Sequence, residues 1–288
     1  MEQNKKLAIR MKADALRKRC TVNNYGLTNL FKDCKNLGYK LIRYPLGEYS
    51  ELGFVTKKDE DTIIFTNSSV RLSRELFTLA HELGHCVLHL NTLSSFMDND
   101  ETISSCNEDE KELEANYFAA HFLMPRDEIA KFLEYEIRET KDYKLTALDI
   151  ARIMDEFKVS FSMVLNHLEN LEFITHDEYI CLDNQKTSCR VGRLLSNIGG
   201  NTNLNSVSNS IDIPYEYLNY VIYNYNHKAI PRETLDRVLM YYKLTFDDVH
   251  DRISIPESSD GDSLEDIIGG LPNTKIKDWG NSCINPSF

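Results

Sequence analysis

The chain is expected to adopt an α+β fold: a mainly helical core carrying a small three-stranded sheet, followed by a smaller helical C-terminal domain. Three observations predict this. Three short strand-like stretches, residues 39–44, 52–56 and 62–66, cluster in the first quarter of the chain. Apolar residues recurring at spacings of three and four dominate from residue 72 to residue 171. A polar stretch over 175–205, containing Gly199-Gly200-Asn201-Thr202-Asn203, then separates this block from a second helical group. At 288 residues, with 42% hydrophobic and 27% charged residues, the composition is globular and supports one or two cores.

In chain order, residues 5–19 and 27–37 read as two helices around a polar turn at 21–26, with basic residues clustered in the first. The three strands follow, and after them a helix over 72–90, on which Leu76, Ala80, Leu83, Val87 and Leu90 form one apolar stripe. Off that stripe lie both histidines of His81-Glu82-Leu83-Gly84-His85. Histidines four residues apart on a helix stack on one face, so both imidazoles can reach a single tetrahedral Zn²⁺. Glu82, rotated off that line, is placed to take a proton from water at the metal, as in zinc peptidases. Gly84 costs roughly 1 kcal/mol relative to alanine inside a helix and so implies a close approach by a neighbouring segment or substrate.

A catalytic zinc needs a third protein ligand. The segment 108–124 continues at helical spacing until Pro125 stops it, making a second helix. On it, Glu112 and Glu114 stand about 200° apart and cannot both face the metal. Glu112 has Asn116 at i+4, whose side-chain carbonyl can accept from Nδ1–H of a liganding histidine and hold its tautomer. Glu112 is therefore the expected ligand and Asn116 its supporting neighbour. Glu108, Asp109, Glu110 and Glu114 read as a solvated acidic first turn favoured by the helix dipole.

Phe77-Thr78-Leu79-Ala80-His81-Glu82-Leu83-Gly84-His85, followed by Glu112-x-x-Ala115-Asn116-x-Phe118-Ala119-Ala120 and Leu123-Met124-Pro125, resembles the ImmA/IrrE family of metallopeptidases over roughly residues 37–174. The resemblance implies a zincin-like core of the gluzincin type and a bacterial, phage or mobile-element setting. It also implies cleavage of a helix-turn-helix repressor, releasing the genes that it silences. In zinc peptidases of this kind an edge strand beside the cleft holds an extended substrate. Ile63-Ile64-Phe65-Thr66, just before the metal helix, is the candidate, making Ile64 and Phe65 possible substrate contacts; the alternative is an ordinary core strand. His89 and His121 are candidate oxyanion partners, or else solvated or core histidines.

Between the metal helices, residues 91–110 read as an acidic mobile lid; Asp98-Asn99-Asp100-Glu101 opens like a calcium loop, but Ile103 stands where glycine is needed. Beyond Pro125 follow a helix over 126–139 and a helical hairpin over 147–157 and 161–171. Residues 206–256 resemble a degenerate lambda-repressor-type helix-turn-helix unit. Its presumed recognition helix, 214–225, carries Glu216 and neither Lys nor Arg, which disfavours DNA and favours docking to a repressor or a second copy.

The expected organisation is thus a metallopeptidase domain at 1–174, a linker at 175–205, a helical domain at 206–256 and a poorly ordered acidic tail at 257–288. No apolar run reaches the ~20 residues that span a bilayer, and the first 19 residues are polar and basic, so a soluble, cytoplasmic protein is expected. Seven cysteines, odd in number and irregularly spaced, argue for free thiols rather than a disulfide framework or a second zinc site. A net charge of −12 repels nucleic acid and attracts basic protein surfaces, so DNA binding would need a local basic patch. Two functions compete: a zinc endopeptidase acting on a regulatory protein, and a non-catalytic regulator that binds a repressor or antitoxin-like partner through its C-terminal domain. Nothing in the sequence specifies an oligomeric state.

Overall fold

A computed structural model describes residues 1–93, 105–137 and 143–254. The acidic segment 98–101 of the expected lid and the tail 257–288 lie outside the described residues. The chain opens with α1 (Gln3–Arg17), a two-residue hairpin of β1 (Val22–Asn23) and β2 (Gly26–Leu27), and α2 (Leu30–Asn36). Then come β3 (Lys40–Tyr44), β4 (Gly53–Lys58) and β5 (Asp61–Asn67), and the long helices α3 (Leu72–Leu93) and α4 (Ser105–Leu123). α5 (Arg126–Phe132) runs on into a π-helical turn at Leu133–Ile137, and α6 (Ala147–Phe157) and α7 (Phe161–Asn170) form a hairpin. That hairpin is set by local chemistry. Thr146 and Asp149 cap α6 reciprocally, Lys158 turns the chain in the left-handed region at φ 58°, and Ser160 caps α7.

The three-stranded sheet has the order β3-β5-β4, with β5 parallel to β3 and antiparallel to β4. Its central strand is therefore β5, which corrects the reading of residues 63–66 as an edge. Ile64 pairs with Leu41 on one side and Val55 on the other and is fully buried, and Phe65 is 7% exposed, so neither is open to a substrate. The outer edge of β3 is covered by an extended segment that bridges Arg43 to Asp212. The outer edge of β4 has no strand partner among the described residues.

α3 and α4 pack together through small residues. A Cβ placed on Gly84 would lie 3.1 Å from the Phe118 ring and 3.3 Å from Cα of Ala115, so the close approach expected at Gly84 is made by α4. Leu76, Ala80 and Leu83 of the stripe are buried and Val87 is half-buried; the side chain of Leu90 lies outside the described residues. The C-terminus of α4 is held by the buried Arg17, which donates to the carbonyl of Phe122 at 2.7 Å and also to that of Tyr25.

The polar stretch 175–205 is not a linker. It folds as α8 (His176–Cys189), α9 (Val191–Asn197) and a 3₁₀ turn at Thr202–Asn205. Leu182, Leu194, Leu195 and Leu204 insert into the main core, so four well-placed leucines outweigh the polar average around them. The main core extends to Leu204 rather than closing near residue 174. A second, small core follows, built by α10 (Tyr215–Asn226), α11 (Arg232–Tyr241) and a 3₁₀ turn at Asp247–Arg252 around Leu218, Val221, Ile222, Leu235, Val238, Leu239 and Val249. α9 gives its leucines to the main core, so the small core lacks a packed helix ahead of α10. Tyr217, Tyr220 and Tyr223 of α10 are exposed.

Among the described residues Cys20, Cys34, Cys86, Cys181 and Cys189 are free thiols, and Cys86, beside His85, is buried in the core. No described helix is long and apolar enough to cross a membrane.

Candidate metal centre

α3 and α4 bring His81, His85 and Glu112 together, with one donor atom from each within 4.8 Å of the others. His81 Nε2 lies 3.0 Å from Glu112 Oε2, His85 Nε2 3.1 Å from Glu112 Oε1, and the two imidazole nitrogens are 3.0 Å apart. Donors bound at about 2.0–2.1 Å in a tetrahedron stand about 3.3–3.4 Å from one another, so the set is close to the dimensions of a zinc site.

The hydrogen bonds behind the histidines make this a convergence of lone pairs. His81 Nδ1 lies 3.0 Å from Asn116 Oδ1, an acceptor only, so His81 carries its proton on Nδ1 and presents a bare Nε2. His85 is fixed by a longer relay. Glu114 Oε2 lies 3.2 Å from His89 Nε2, so His89 donates from Nε2 and accepts at Nδ1. His85 Nδ1, 3.0 Å from His89 Nδ1, must therefore be the donor, leaving its Nε2 bare as well. Two imidazole lone pairs and a carboxylate facing one another across 3 Å repel unless a cation or proton lies between them. Burial, with the neighbouring His81 and His89 acting in the same direction and Glu112 opposing them, holds His85 down to about 4, so a proton is unfavourable there at neutral pH. The donor set thus fits a divalent metal.

The relay decides one open alternative and corrects one expectation. His89 is the core histidine rather than the oxyanion partner: it is 7% exposed and both its ring nitrogens are engaged. Glu114 is not a solvated first-turn carboxylate but 8% exposed, bonded to His89 and ion-paired with Lys5 of α1. Burial pushes Glu114 up, yet the bonds from Lys5 and His89 outweigh it and hold the carboxylate below its ordinary value. Lys5 also reaches Glu110 at 2.7 Å. His121 is not at the centre. It lies nine residues beyond Glu112, about 180° around the helix, and packs in the core at a tilt against Tyr117 and edge-to-face against His167, whose ring centroid is 5.0 Å away.

Glu82 lines the same cleft as His81, His85, Glu112 and Asn116, and β4 supplies the opposite wall through Gly53, Phe54 and Val55. Gly53 is needed there: a Cβ on it would stand 3.1 Å from Glu82 Oε1 and 2.5 Å from Thr78 Cγ2. Burial, with Glu112 adding its charge, pushes Glu82 up to about 8; a divalent cation among the three donors acts in the opposite direction. The sequence signal for β4 was available, since it alternates as a strand, but its place at the open edge depends on sheet order.

Residues 34–169 match the family model described as Peptidase_M78, IrrE N-terminal-like domain. A 130-residue stretch, 45% of the chain, is 27% identical to immunity region protein 2 of Bacillus phage phi105 and covers 75% of that protein. A solved Mycobacterium tuberculosis transcriptional regulator aligns with 58% of the chain at 16% identity and a TM-score of 0.38, and the chain spans about half, 47%, of its length. α3, α4 and all three converging donors lie inside the span, residues 34–169, that matches the Peptidase_M78 model of IrrE N-terminal-like domains.

Proposed function

We propose that the protein is a zinc-dependent endopeptidase that cleaves a helix-turn-helix repressor or a similar regulatory protein, releasing phage, mobile-element or stress genes. The observation that carries the reading is the meeting of His81, His85 and Glu112 beside the buried carboxylate of Glu82. Two nitrogens and one carboxylate oxygen, in a near-tetrahedral set of three, match the chemistry of a catalytic zinc better than that of an oxygen-seeking cation. When bound, such an ion supplies Lewis acidity and acidifies a water molecule. Asn116 orients His81, and His89 with Glu114 orients His85. Glu82 takes a proton from the attacking water on its carboxylate and delivers it to the leaving amine. The open edge of β4, over Gly53, Phe54 and Val55, takes an extended peptide by backbone pairing. The repressor as target draws support from the setting named for the phage phi105 relative, an immunity region.

The test is co-expression with candidate helix-turn-helix repressors, comparing wild type with Glu82→Gln by mass spectrometry of the repressor and metal analysis of both proteins. Glu82→Gln is expected to keep the metal and lose about 10²–10⁴ in turnover, the usual contribution of a general base. Full cleavage by that variant would sink the mechanism. A stable complex left uncut by wild type would instead favour a non-catalytic regulator docking through α10, whose exposed tyrosines lack any neighbouring Lys or Arg on that helix.

A further inference from the structure

A cavity of about 950 Å³ adjoins the metal cleft and shares two of its walls, Phe77 and Asn116. Its size is at the upper end of the ~300–1,000 Å³ of ligand pockets. The start of α3, the middle of α4, one face along the whole of α7, α8 and the 205–207 segment enclose it. Its charge runs against that of the whole molecule. In a chain of net charge −12, the cavity carries three cations, Arg71, Arg74 and Lys186, and one carboxylate, Glu48. Arg71 and Arg74 are exposed and neither forms an ion pair among the described residues. Lys186 donates to Ser162 Oγ at 2.7 Å and lies 3.5 Å from Asp183, a residue outside the cavity lining. Ser69, Ser73, Asn166 and Asn170 add neutral hydrogen-bonding groups.

Resting on the peptidase reading of the metal centre, we infer that this cavity is a substrate subsite for an acidic stretch of the target, taking Asp or Glu side chains within a few residues of the scissile bond. An extended peptide lying along β4 in the cleft must leave through one of its ends, and the cavity begins at the Phe77–Asn116 end. The net charge repels acidic chains from the rest of the surface, so three cations gathered beside the cleft confer a selectivity that the molecule as a whole opposes. The seryl and asparaginyl lining suits an exposed, hydrated segment rather than an apolar anchor.

The probe is a displayed library of random dodecapeptides, selected on full-length, zinc-loaded Glu82→Gln protein. Selected sequences are expected to be enriched in Asp and Glu over the starting library. Binding of the enriched peptides is expected to weaken roughly two- to fivefold for each cation removed in Arg71→Gln, Arg74→Gln and Lys186→Gln, the range for partly exposed ion pairs. Lys131→Gln, a cation outside the cavity, is the control and is expected to leave binding unchanged. Should the triple variant not fold, Arg74→Gln alone, at an exposed position, carries the test. Selection without acidic enrichment, failure to select any peptide, or enrichment that survives neutralisation overturns the proposal, even where wild type cuts peptides. Competition by inorganic phosphate at concentrations below the peptide's would assign the cations to a free anion and also overturn it. Cation-dependent binding of acidic peptides that wild type never cuts would uphold the subsite and sink only the peptidase reading.

Discussion

Apart from the His85–His89 relay, two pairs of histidines lie close together among the described residues, and only one of them has the makings of a metal site. His81 and His85 on α3 have ring centroids 4.7 Å apart; His121 on α4 and His167 on α7 are 5.0 Å apart. Proximity does not separate them. The first pair has a carboxylate in front and an acceptor behind each ring, so both Nε2 lone pairs aim at one point. The second pair has no carboxylate within bonding distance among the described residues; His167 instead bonds the Met124 carbonyl at 2.9 Å, where it must donate. One pair is built to hold a cation, the other to remain neutral in a core.

The largest expected effect breaks the first pair. Glu112→Gln or His81→Ala is expected to weaken zinc binding by at least ~10²-fold, given the ~10–16 kcal/mol shared among the ligands of a tight zinc site. Under the same metal analysis, His121→Gln and His167→Gln are expected to leave one metal per chain. Loss of zinc on substituting His167 would dissolve the distinction.

Next in size is the relay behind His85. Glu114→Gln or His89→Ala is expected to lower zinc affinity ~10–100-fold in a chelator competition, the usual cost of losing a ligand's hydrogen-bond partner. Glu110→Gln, which removes the exposed partner of Lys5, is the matched control and is expected to change it little. Equal effects from Glu110 and Glu114 would mean that α1 docking, rather than tautomer control, is what matters.

The second pair is sharpened by pH. Burial, with His167 and nearby Arg10 and Lys6 adding to it, pushes His121 down to about 3, and burial, opposed by the bond to the Met124 carbonyl, also lowers His167. The unfolded chain takes up protons near the ordinary value of ~6.5 while the folded core refuses them. The stability from keeping both rings neutral is therefore fully present above pH ~6.5 and is lost as pH falls below it, by up to roughly 1.4 kcal/mol per pH unit for each ring. Melting temperatures at pH 7.5 and 5.5 check this, and His167→Gln is expected to flatten the dependence. An unchanged slope would mean that other groups dominate the acid response.

The smallest effect concerns the packing that sets the first pair against Glu112. Gly84→Ala gains about 1 kcal/mol of helix propensity, but its methyl would press on the Phe118 ring and on Ala115 backbone atoms at 3.1–3.3 Å. A net destabilisation of about 1 kcal/mol is expected, because overpacking a tight interface costs ~1–3 kcal/mol. A stabilised variant would show that α4 can move away, and with it Glu112.

Much of the centre was legible from spacing. The i, i+4 histidines lie on one face whatever the fold, and the choice of Glu112 over Glu114 followed from Asn116 one turn further on. Glu114 was misread for a physical reason: an acidic residue in a charged run looks solvated until its cover is known, and here the cover is Lys5 and His89. Nothing in the sequence ties His121 to a face, so oxyanion partner and core histidine both stand open there, although its 180° separation from Glu112 is countable; in the structure it is the core histidine. The segment 175–205 was averaged into a connector because four leucines among polar residues carry little weight in a window, and full weight in a core.

Local periodicity is enough to place the three strands of the sheet, the helices outside 175–205, the His81–His85 face and the carboxylate helix opposite. Tertiary structure alone decided which strand stands at the sheet's edge, which carboxylate is buried beneath α1, and that Arg71, Arg74 and Lys186 gather around one cavity. Strand order, burial and the joining of residues more than a hundred positions apart are long-range pairings. Backbone geometry restricts neighbours in sequence and leaves such pairings to packing.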